Sequence, residues 1–267
     1  MASTWIQDII SFVLSDEKRT IEYVSYIFIF WGLSVCVLLM SMTAPYGRYS
    51  RPGWGILLPG KIAWFIQELP CCVVPLLIYY YADCPKAGVL MNRFSLGLFL
   101  FHYFHRTFLF PFLIRGGKPT PLFPFVMAFM FCTINGYVQT RYILKYADLT
   151  VTQSSLNRII IGTAIFFIGM GINLHSDHIL RNLRKPGEKG YKIPYGGMFL
   201  YISGANFFGE IVEWFGFAVL NWSLPAAAFS LFTICNIAPR AVQHHRWYQG
   251  KFKEYPKNRK AIIPFLF

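Results

Sequence analysis

The sequence is poor in charge, since only 14% of its 267 residues are Asp, Glu, Lys or Arg. Acidic residues are especially few, at 12 against 25 Lys and Arg, so the formal net charge is +13. A typical soluble domain has about a quarter of its residues charged. The low content of charged residues argues against a typical soluble domain. We also expect no nucleic-acid partner.

Several motifs are also missing. The six cysteines show no C-x-x-C spacing, so packing is their expected role. The chain contains no P-loop, and the Gly-x-Gly pattern that begins at Gly169 fails at Leu174. No internal repeat, low-complexity tract or long linker divides it. We therefore expect a single domain over residues 1–267.

What the sequence does contain is apolar and aromatic: 55% of its residues are hydrophobic, with 27 Phe and 16 Tyr. Residues 24–43 form an uncharged run of the length, about 20 residues, that a helix needs to cross a bilayer. Seven predominantly apolar spans are predicted, at 24–43, 62–82, 94–114, 121–143, 158–174, 198–220 and 222–239. The fold class is therefore all-α, that of a polytopic integral membrane protein with seven transmembrane helices.

The basic residues predict an orientation. The loops on one side, at 44–61, 115–120, 173–197 and 239–267, hold 17 of the 25 Lys and Arg. By the positive-inside rule this side is cytosolic, which places the N-terminus in the lumen and the C-terminus in the cytosol. The first 20 residues lack a basic signal-peptide region and carry Asp8 in their apolar stretch, so we expect a short amphipathic helix at the interface.

Ionisable and amide side chains recur inside the predicted spans. Inserting one charged side chain at membrane depth costs about 2.5–3.5 kcal/mol of free energy on insertion scales. Each such residue is therefore expected to have a hydrogen-bond or ion-pair partner or a functional role. The set comprises Gln67, Glu68, His102, Tyr103, His105, Arg106, Asn135, Gln139, Asn206, Glu210 and Glu213. Interhelical hydrogen bonding explains any one of them alone. Together they predict a polar, ligand-binding cavity within the membrane.

Two basic segments lie on the predicted cytosolic face. The first, HSDHILRNLRKPG at 175–187, reads as a short separate helix capped by Ser176 or Asp177. The second, RAVQHHRWY at 240–248, follows the last span. A basic loop that only sets topology is the simpler explanation for each. Two such segments behind buried carboxylates favour a large anionic ligand, such as a phosphate-bearing cofactor.

Paired histidines raise the alternative of a membrane di-iron oxidase. The pairs are His102 with His105, His175 with His178, and His244 with His245. Di-iron membrane enzymes use roughly eight or more histidines, whereas each cluster here stops at two, and a zinc site would need three or four close ligands. We therefore predict no metal.

Beyond these inferences, the chain resembles the steroid 5α-reductase, or 3-oxo-5α-steroid 4-dehydrogenase, family. The resemblance covers most of 64–267, and residues 1–60 are less distinctive. It rests on WFIQELP (64–70), HYFHRTF (102–108), RGGKP (115–119), GMGINLHSDHILRNLRKPG (169–187), GYKIPYGG (190–197), SGANFFGEIVEW (203–214) and EYPKNRKAIIPFLF (254–267).

The resemblance implies an enzyme of the endoplasmic reticulum membrane that uses NADPH to reduce the C4–C5 double bond of a 3-oxo-Δ4 steroid. Glu68 and Tyr103 would be catalytic and hold the C3 carbonyl, with Trp64 and Gln67 also in contact with the substrate. The family's cofactor site carries over to Asn173, Asp177, Arg184, Asn206, Glu210, Arg240, His244 and Tyr248, and further to Arg106, Lys118, Arg181 and Tyr191. The arginines would meet the phosphates, and the cofactor site would face the cytosol.

We expect the steroid substrate to arrive from the lipid phase and no obligate protein partner. A related membrane reductase, acting on a polyprenol or a trans-2-enoyl-CoA, is the main alternative. A sterol-binding receptor without turnover would keep the cavity but would not need the two basic segments.

Overall fold

The computed structural model describes residues 15–185, 187, 188 and 190–267. Helix makes up 71% of the structure and strand 2%, which confirms the all-α prediction. Most of the amphipathic helix expected at the N-terminus lies outside the described residues. The single-domain assignment stays a prediction.

Nine α-helices follow one another along the described part of the chain. They are α1 (Glu17–Ser41), α2 (Gly60–Glu68), α3 (Pro70–Tyr81), α4 (Leu90–Phe104), α5 (Phe110–Leu113), α6 (Leu122–Arg141), α7 (Gln153–Asn182), α8 (Ala205–Asn221) and α9 (Leu224–Lys251). Two π-helices, His105–Leu109 and Tyr142–Tyr146, follow α4 and α6, and 3-10 turns occur at Gly47–Tyr49 and Gly197–Leu200. Strands β1 (Leu57–Leu58) and β2 (Thr120–Pro121) form an antiparallel pair, with Leu57 opposite Pro121.

Within the described residues, four helical segments are long and apolar enough to cross a membrane: Glu17–Ser41, Gly60–Tyr81, Leu122–Tyr146 and Gln153–Asn182. They coincide with the predicted spans at 24–43, 62–82, 121–143 and 158–174. The other three spans, and the orientation, remain predictions. The span placed at 198–220 starts too early, because the α8 helix begins only at Ala205.

Helices α7 and α8 pack with their backbones in contact because glycines face the partner helix. A Cβ atom at Gly162 would lie 2.5 Å from the backbone nitrogen of Leu220. Cβ atoms at Gly169, Gly209 and Gly216 would overlap the backbones of Glu213, Asn173 and Phe166. Such close approach is typical of small residues at membrane helix interfaces. It brings the polar C-terminal half of α7 against the first turns of α8.

The separate cytosolic helix predicted after residue 174 is wrong. Helix α7 continues without a break to Asn182, and its N-cap is Thr152, whose side chain accepts a hydrogen bond from the Ser155 amide. Ser176 and Asp177 lie inside this helix and are buried. Burial of the extra turns against α8 and the 3-10 turn at 197–200 accounts for the extension, because packing decides helix length more than local signals do.

The last helix also exceeds its prediction. Helix α9 passes through Pro239, where a predicted span ended, and runs to Lys251. The basic segment 240–248 is therefore helical and not a loop. The residues after α9 fold back, since Ser203 donates its amide hydrogen to the Lys260 carbonyl at 2.9 Å. Buried Arg259 donates to the Pro194 carbonyl at 3.1 Å, which fixes this return segment beside the loop before α8.

Candidate functional site

A cavity of about 470 Å³ lies between α1, α2, α4, α6, α8 and α9. Much of its wall is apolar and aromatic, and includes Trp31, Leu38, Trp54, Phe123, Met127, Phe131, Phe229 and Phe232. The wall also carries polar side chains, among them Gln67, Glu68, His102, Tyr103, Arg106, Glu210 and Arg240. An apolar pocket with a few convergent polar groups is the usual form of a small-molecule site.

Glu68 is the final residue of α2 and lines the cavity. Pro70 begins α3 and has no N–H for the carbonyl of Ile66, so the helix is interrupted directly after Glu68. The Cys132 thiol on α6 donates a weak hydrogen bond to Glu68 Oε2 at 3.8 Å. Trp64 and Gln67, on the same short helix, also line the cavity, as predicted substrate contacts should.

Tyr103 reaches the cavity from α4. It is 4% exposed, and its ring packs against Phe99 at a centroid distance of 4.7 Å and against Trp214 at 5.8 Å. These two contacts fix the ring plane, so the hydroxyl is held without the freedom of an exposed tyrosine. The structure thus brings the two predicted catalytic residues, Glu68 and Tyr103, to one cavity.

Arg106 connects the cavity to α7. It lies in the first turn of the π-helix, and its guanidinium is 3.5 Å from Asp177 Oδ2. The group also stacks 4.7 Å from the centroid of the Trp64 ring and 4.3 Å from that of Phe110. Stacked and paired in this way, Arg106 is a fixed positive charge beside several carboxyl groups.

The predicted cofactor residues of α7 and α8 adjoin this arginine, behind the cavity wall. Asn173 donates from Nδ2 to the Asn206 carbonyl at 2.9 Å, across the helix contact made by Gly209. Asp177 is 3% exposed, and its Oδ2 atom has no hydrogen-bond partner in the described structure. Glu210, one turn after Asn206, reaches the cavity itself.

A second group of predicted cofactor residues lies around the 3-10 turn 47–49. Arg48 donates to the Tyr248 hydroxyl at 3.2 Å, and Lys118 donates to the Arg48 carbonyl at 3.1 Å. The Arg48 guanidinium stands over three rings, 5.3 Å from Tyr191, 4.5 Å from Trp247 and 4.9 Å from Tyr248. This aromatic enclosure holds a cation next to the cavity.

His244 joins this group to the cavity through ring contacts. Its centroid is 5.5 Å from that of Tyr49 and 5.5 Å from that of Phe207, which lines the cavity. Burial raises the pKa of the Tyr49 hydroxyl above its ordinary value, so this group stays a neutral donor in the physiological range. Arg240 lies on the cavity wall, where its guanidinium stacks 4.4 Å from the centroid of Tyr46.

Two predicted cofactor arginines lie farther out. Arg181 is partly buried near the end of α7, one turn after Asp177. Arg184 is exposed after the helix end and donates to the Gly190 carbonyl at 3.2 Å. The structure therefore brings Trp64, Gln67, Glu68, Tyr103, Arg106, Glu210 and Arg240 to the cavity wall, whereas the remaining predicted residues are not part of the cavity lining.

Sequence reasoning missed the contribution of residues 46–49. Arg48 was counted only as a basic loop residue, and Tyr46 and Tyr49 were not singled out. Their partners lie about 200 positions away in the chain, so no local spacing reveals the contact. The run Pro-Tyr-Gly-Arg-Tyr, with two aromatic rings flanking an arginine in a predicted cytosolic loop, was the available signal.

The histidine pairs do not form a metal centre in the described part of the chain, where no group of three or more His, Cys, Asp or Glu is placed to hold an ion. His102 instead contacts Glu213, with 2.8 Å between Nδ1 and Oε1. All six cysteines are free thiols, and four of them are buried, which agrees with a packing role.

Comparison with known proteins identifies the family. A family model described as 3-oxo-5-alpha-steroid 4-dehydrogenase matches residues 118–267. The chain is 52% identical over 252 residues to 3-oxo-5-alpha-steroid 4-dehydrogenase 1 of Rattus norvegicus, which covers 94% of this chain and 97% of the relative. The chain belongs to the 3-oxo-5-alpha-steroid 4-dehydrogenase family.

Other members of the family show the same breadth of similarity. The 3-oxo-5-alpha-steroid 4-dehydrogenase 1 of Homo sapiens is 48% identical over 254 residues, with 94% of this chain and 97% of the relative covered. The 3-oxo-5-alpha-steroid 4-dehydrogenase 2 of Sus scrofa is 47% identical over 242 residues, with 88% and 93% covered. Family membership makes this chain an oxidoreductase that acts on CH–CH groups, which confirms the predicted enzyme class and rejects a receptor without turnover.

Proposed function

We propose that this 3-oxo-5-alpha-steroid 4-dehydrogenase family member reduces the C4–C5 double bond of 3-oxo-Δ4 steroids with NADPH. The observation that carries the proposal is the single cavity in which an apolar, aromatic wall meets Glu68, Tyr103 and Arg106. The names of the relatives support the steroid class. The proposed location is the endoplasmic reticulum membrane, with the steroid entering from lipid and the cofactor from the cytosol.

The polar part of the cavity suits a 3-oxo group. Reduction at C5 moves electron density onto the C3 oxygen, which becomes enolate-like. A hydroxyl such as that of Tyr103 donates a stronger hydrogen bond to this developing anion than to the ketone. Glu68 donates as well when it carries its proton. The two groups thus stabilise the transition state more than the bound substrate, which is what raises turnover.

The residues around the cavity mouth fit a dinucleotide with phosphate groups. Neither Arg48 nor Arg240 pairs with a carboxylate within the described residues. Arg48 Nη1, the Tyr49 hydroxyl and Trp64 Nε1 are buried donors without a partner there. Unpaired guanidinium and hydroxyl donors are the groups that bind phosphate and ribose oxygens. We therefore assign Arg48 and Tyr49 to the cofactor site, in addition to the residues predicted from the resemblance.

NADPH, when bound, supplies the hydride that C5 receives. The protein's part is to place and enclose the reactants. In this proposal the guanidinium groups of Arg48, Arg184 and Arg240 hold anionic oxygens, and Asn206, Glu210 and His244 orient the reactive end of the dinucleotide beside the cavity. Aromatic side chains exclude water from the steroid, which strengthens every hydrogen bond made to its C3 oxygen.

The proposal is tested with purified protein in detergent, NADPH and testosterone. We expect the 5α-reduced 3-oxo product by mass spectrometry, without added metal or oxygen. Parallel incubations with a polyprenal and a trans-2-enoyl-CoA test the alternative lipid substrates. Turnover of either one, with no steroid product, would reject the steroid assignment.

A further inference from the structure

His102 on the cavity wall forms a buried pair with Glu213, and the proposed C3 contacts do not use this pair. His102 on α4 and Glu213 on α8 approach to 2.8 Å between Nδ1 and Oε1, with side chains 5% and 0% exposed. Glu213 was predicted only as one of the polar side chains inside the spans. A carboxyl group placed there without an ionic partner would be costly, so the pair requires an explanation.

Among the residues that the structure describes, no lysine or arginine forms an ion pair with Glu213. Arg106 forms its ion pair with Asp177 instead, at 3.5 Å. Within the described residues, Glu213 Oε2 has no hydrogen-bond partner. The protonation state of lowest free energy for this buried pair is therefore one in which His102 and Glu213 share a proton. The pair is then either imidazolium and carboxylate or imidazole and carboxylic acid. In either form the pair holds one transferable proton.

The pair lies next to the groups proposed to hold the C3 oxygen. His102 lines the cavity, and its ring centroid is 5.1 Å from that of Tyr103. Its Nδ1 atom is engaged with Glu213, which leaves Nε2 as the nitrogen for a group in the cavity. Because C4 is bonded to C3, a steroid held by its C3 oxygen beside Tyr103 brings C4 to the same part of the wall.

We infer that His102 and Glu213 together donate the proton that C4 receives, an inference that rests on the proposed function. As C5 accepts the hydride and its electron pair, the C4–C5 π bond shifts to C3–C4 and the C3 oxygen becomes anionic. The C3–C4 π electrons then form the new C4–H bond with the proton from His102, and the C3 ketone returns. His102 is left as neutral imidazole beside the Glu213 carboxylate, and solvent restores the proton.

The ionisable groups near His102 and Glu213 have other proposed roles and do not supply the C4 proton. Arg106 keeps its protons at any physiological pH and cannot act as an acid. Glu68 and Tyr103 face the C3 oxygen, and Asp177 and Glu210 face Arg106 and the proposed cofactor. These five groups, from α2, α4, the π-helix, α7 and α8, set the electrostatic surroundings of the pair.

The test compares Glu213→Gln with the wild-type enzyme. The side-chain amide introduced at position 213 would retain a hydrogen bond to His102 but could not transfer a proton to it. We therefore expect kcat to fall by about 100-fold or more, the usual contribution of a general acid. The dissociation constants of NADPH and steroid, measured by titration, should not change. His102→Gln is the second variant. It should likewise lower kcat and leave the dissociation constants of NADPH and steroid unchanged. The wild type should show a solvent deuterium isotope effect on kcat.

Ser95→Ala is the matched control. It removes another buried bond between the same two helices, since Ser95 Oγ donates to Asn221 Oδ1 at 2.7 Å. If Glu213→Gln lowers kcat no more than Ser95→Ala, or if the wild type shows no solvent isotope effect, the pair is only structural and the inference is wrong. A wild type that binds the steroid and forms no product rejects the proposed function itself.

Discussion

At the scale of single residues, a proline lies next to a carboxyl group of the cavity wall. Glu68 ends α2 because Pro70 has no N–H to donate to the Ile66 carbonyl, and Glu68 lines the cavity. Tyr103 depends on packing, since Phe99 and Trp214 hold its ring.

Substitution of either residue tests its proposed role at C3. Glu68→Met or Tyr103→Phe should lower kcat by about 100-fold, the typical effect of losing one donor to a developing oxyanion. NADPH affinity should stay close to the wild-type value, because neither residue is assigned to the cofactor. Steady-state kinetics with an independent NADPH titration measures both. Tyr79→Phe, on α3 and outside the cavity wall, is the control.

Arg48 gives a prediction that the sequence alone did not. Arg48→Ala should weaken NADPH binding by about 10- to 100-fold, because a hydrogen bond to a charged group contributes about 1.5–3 kcal/mol. Turnover at saturating NADPH should be retained. Arg93→Ala, which removes an exposed arginine on α4, should leave the affinity unchanged. Equal NADPH dissociation constants for Arg48→Ala and Arg93→Ala would remove Arg48 from the cofactor site.

At the scale of elements, the contact between α7 and α8 positions Asn173 and Asp177 against Asn206 and Glu210. Gly209→Ala adds a methyl group where no space exists, and overpacking of this kind costs about 1–3 kcal/mol. We expect a lower melting temperature and weaker NADPH binding, because the two helices must separate. Thermal unfolding in detergent and NADPH titration measure these effects.

Gly171→Ala provides the matched control on α7. A Cβ atom there would meet nothing within 4 Å, so alanine should be neutral or slightly stabilising in the helix. If both variants lose stability equally, helix propensity rather than the close contact explains the loss at Gly209.

The elements show what sequence could and could not predict. Long apolar runs located four membrane-length helices, because bilayer thickness imposes a length that hydropathy detects. Helix ends were less predictable: α7 passes Ser176 and Asp177, and α9 passes Pro239, since tertiary packing overrode the local stop signals. The polar cavity was predicted from charges at membrane depth, whereas the approach of Arg48 to Tyr248 depends on the folded chain and leaves no periodic signal.

At the scale of the whole molecule, a polar cluster around Glu17 joins the start of α1 to α6 and to the π-helix that follows α6. Its carboxylate accepts from Arg141 through Nε and Nη2, both at 2.7 Å, from Lys145 at 2.9 Å, and from the hydroxyls of Tyr137 and Tyr146 at 2.7 Å. The same helix supplies Trp31 and Leu38 to the cavity wall. The Glu17 cluster therefore anchors one wall of the cavity.

Glu17→Gln should destabilise the protein by about 1.5–3 kcal/mol, because charge-assisted hydrogen bonds to Arg141 and Lys145 are lost. The measurement is the melting temperature of the detergent-solubilised protein. Glu22→Gln, on the same helix and without an ion pair in the described structure, is the control. A melting temperature for Glu17→Gln equal to that of the control would show that the cluster adds nothing to stability.

The backbone contact between α7 and α8 also has a consequence for motion. Two helices that touch through four glycines, with no side chains between them, cannot slide or rotate past one another without losing that contact along its whole length. Their central amide hydrogens should consequently be among the last in the protein to exchange with deuterated solvent, with or without NADPH. We therefore expect any opening that admits or releases the cofactor to occur in the loops at 46–49 and 190–197. The amide hydrogens of these loops should exchange quickly, and their exchange should slow when NADPH is added.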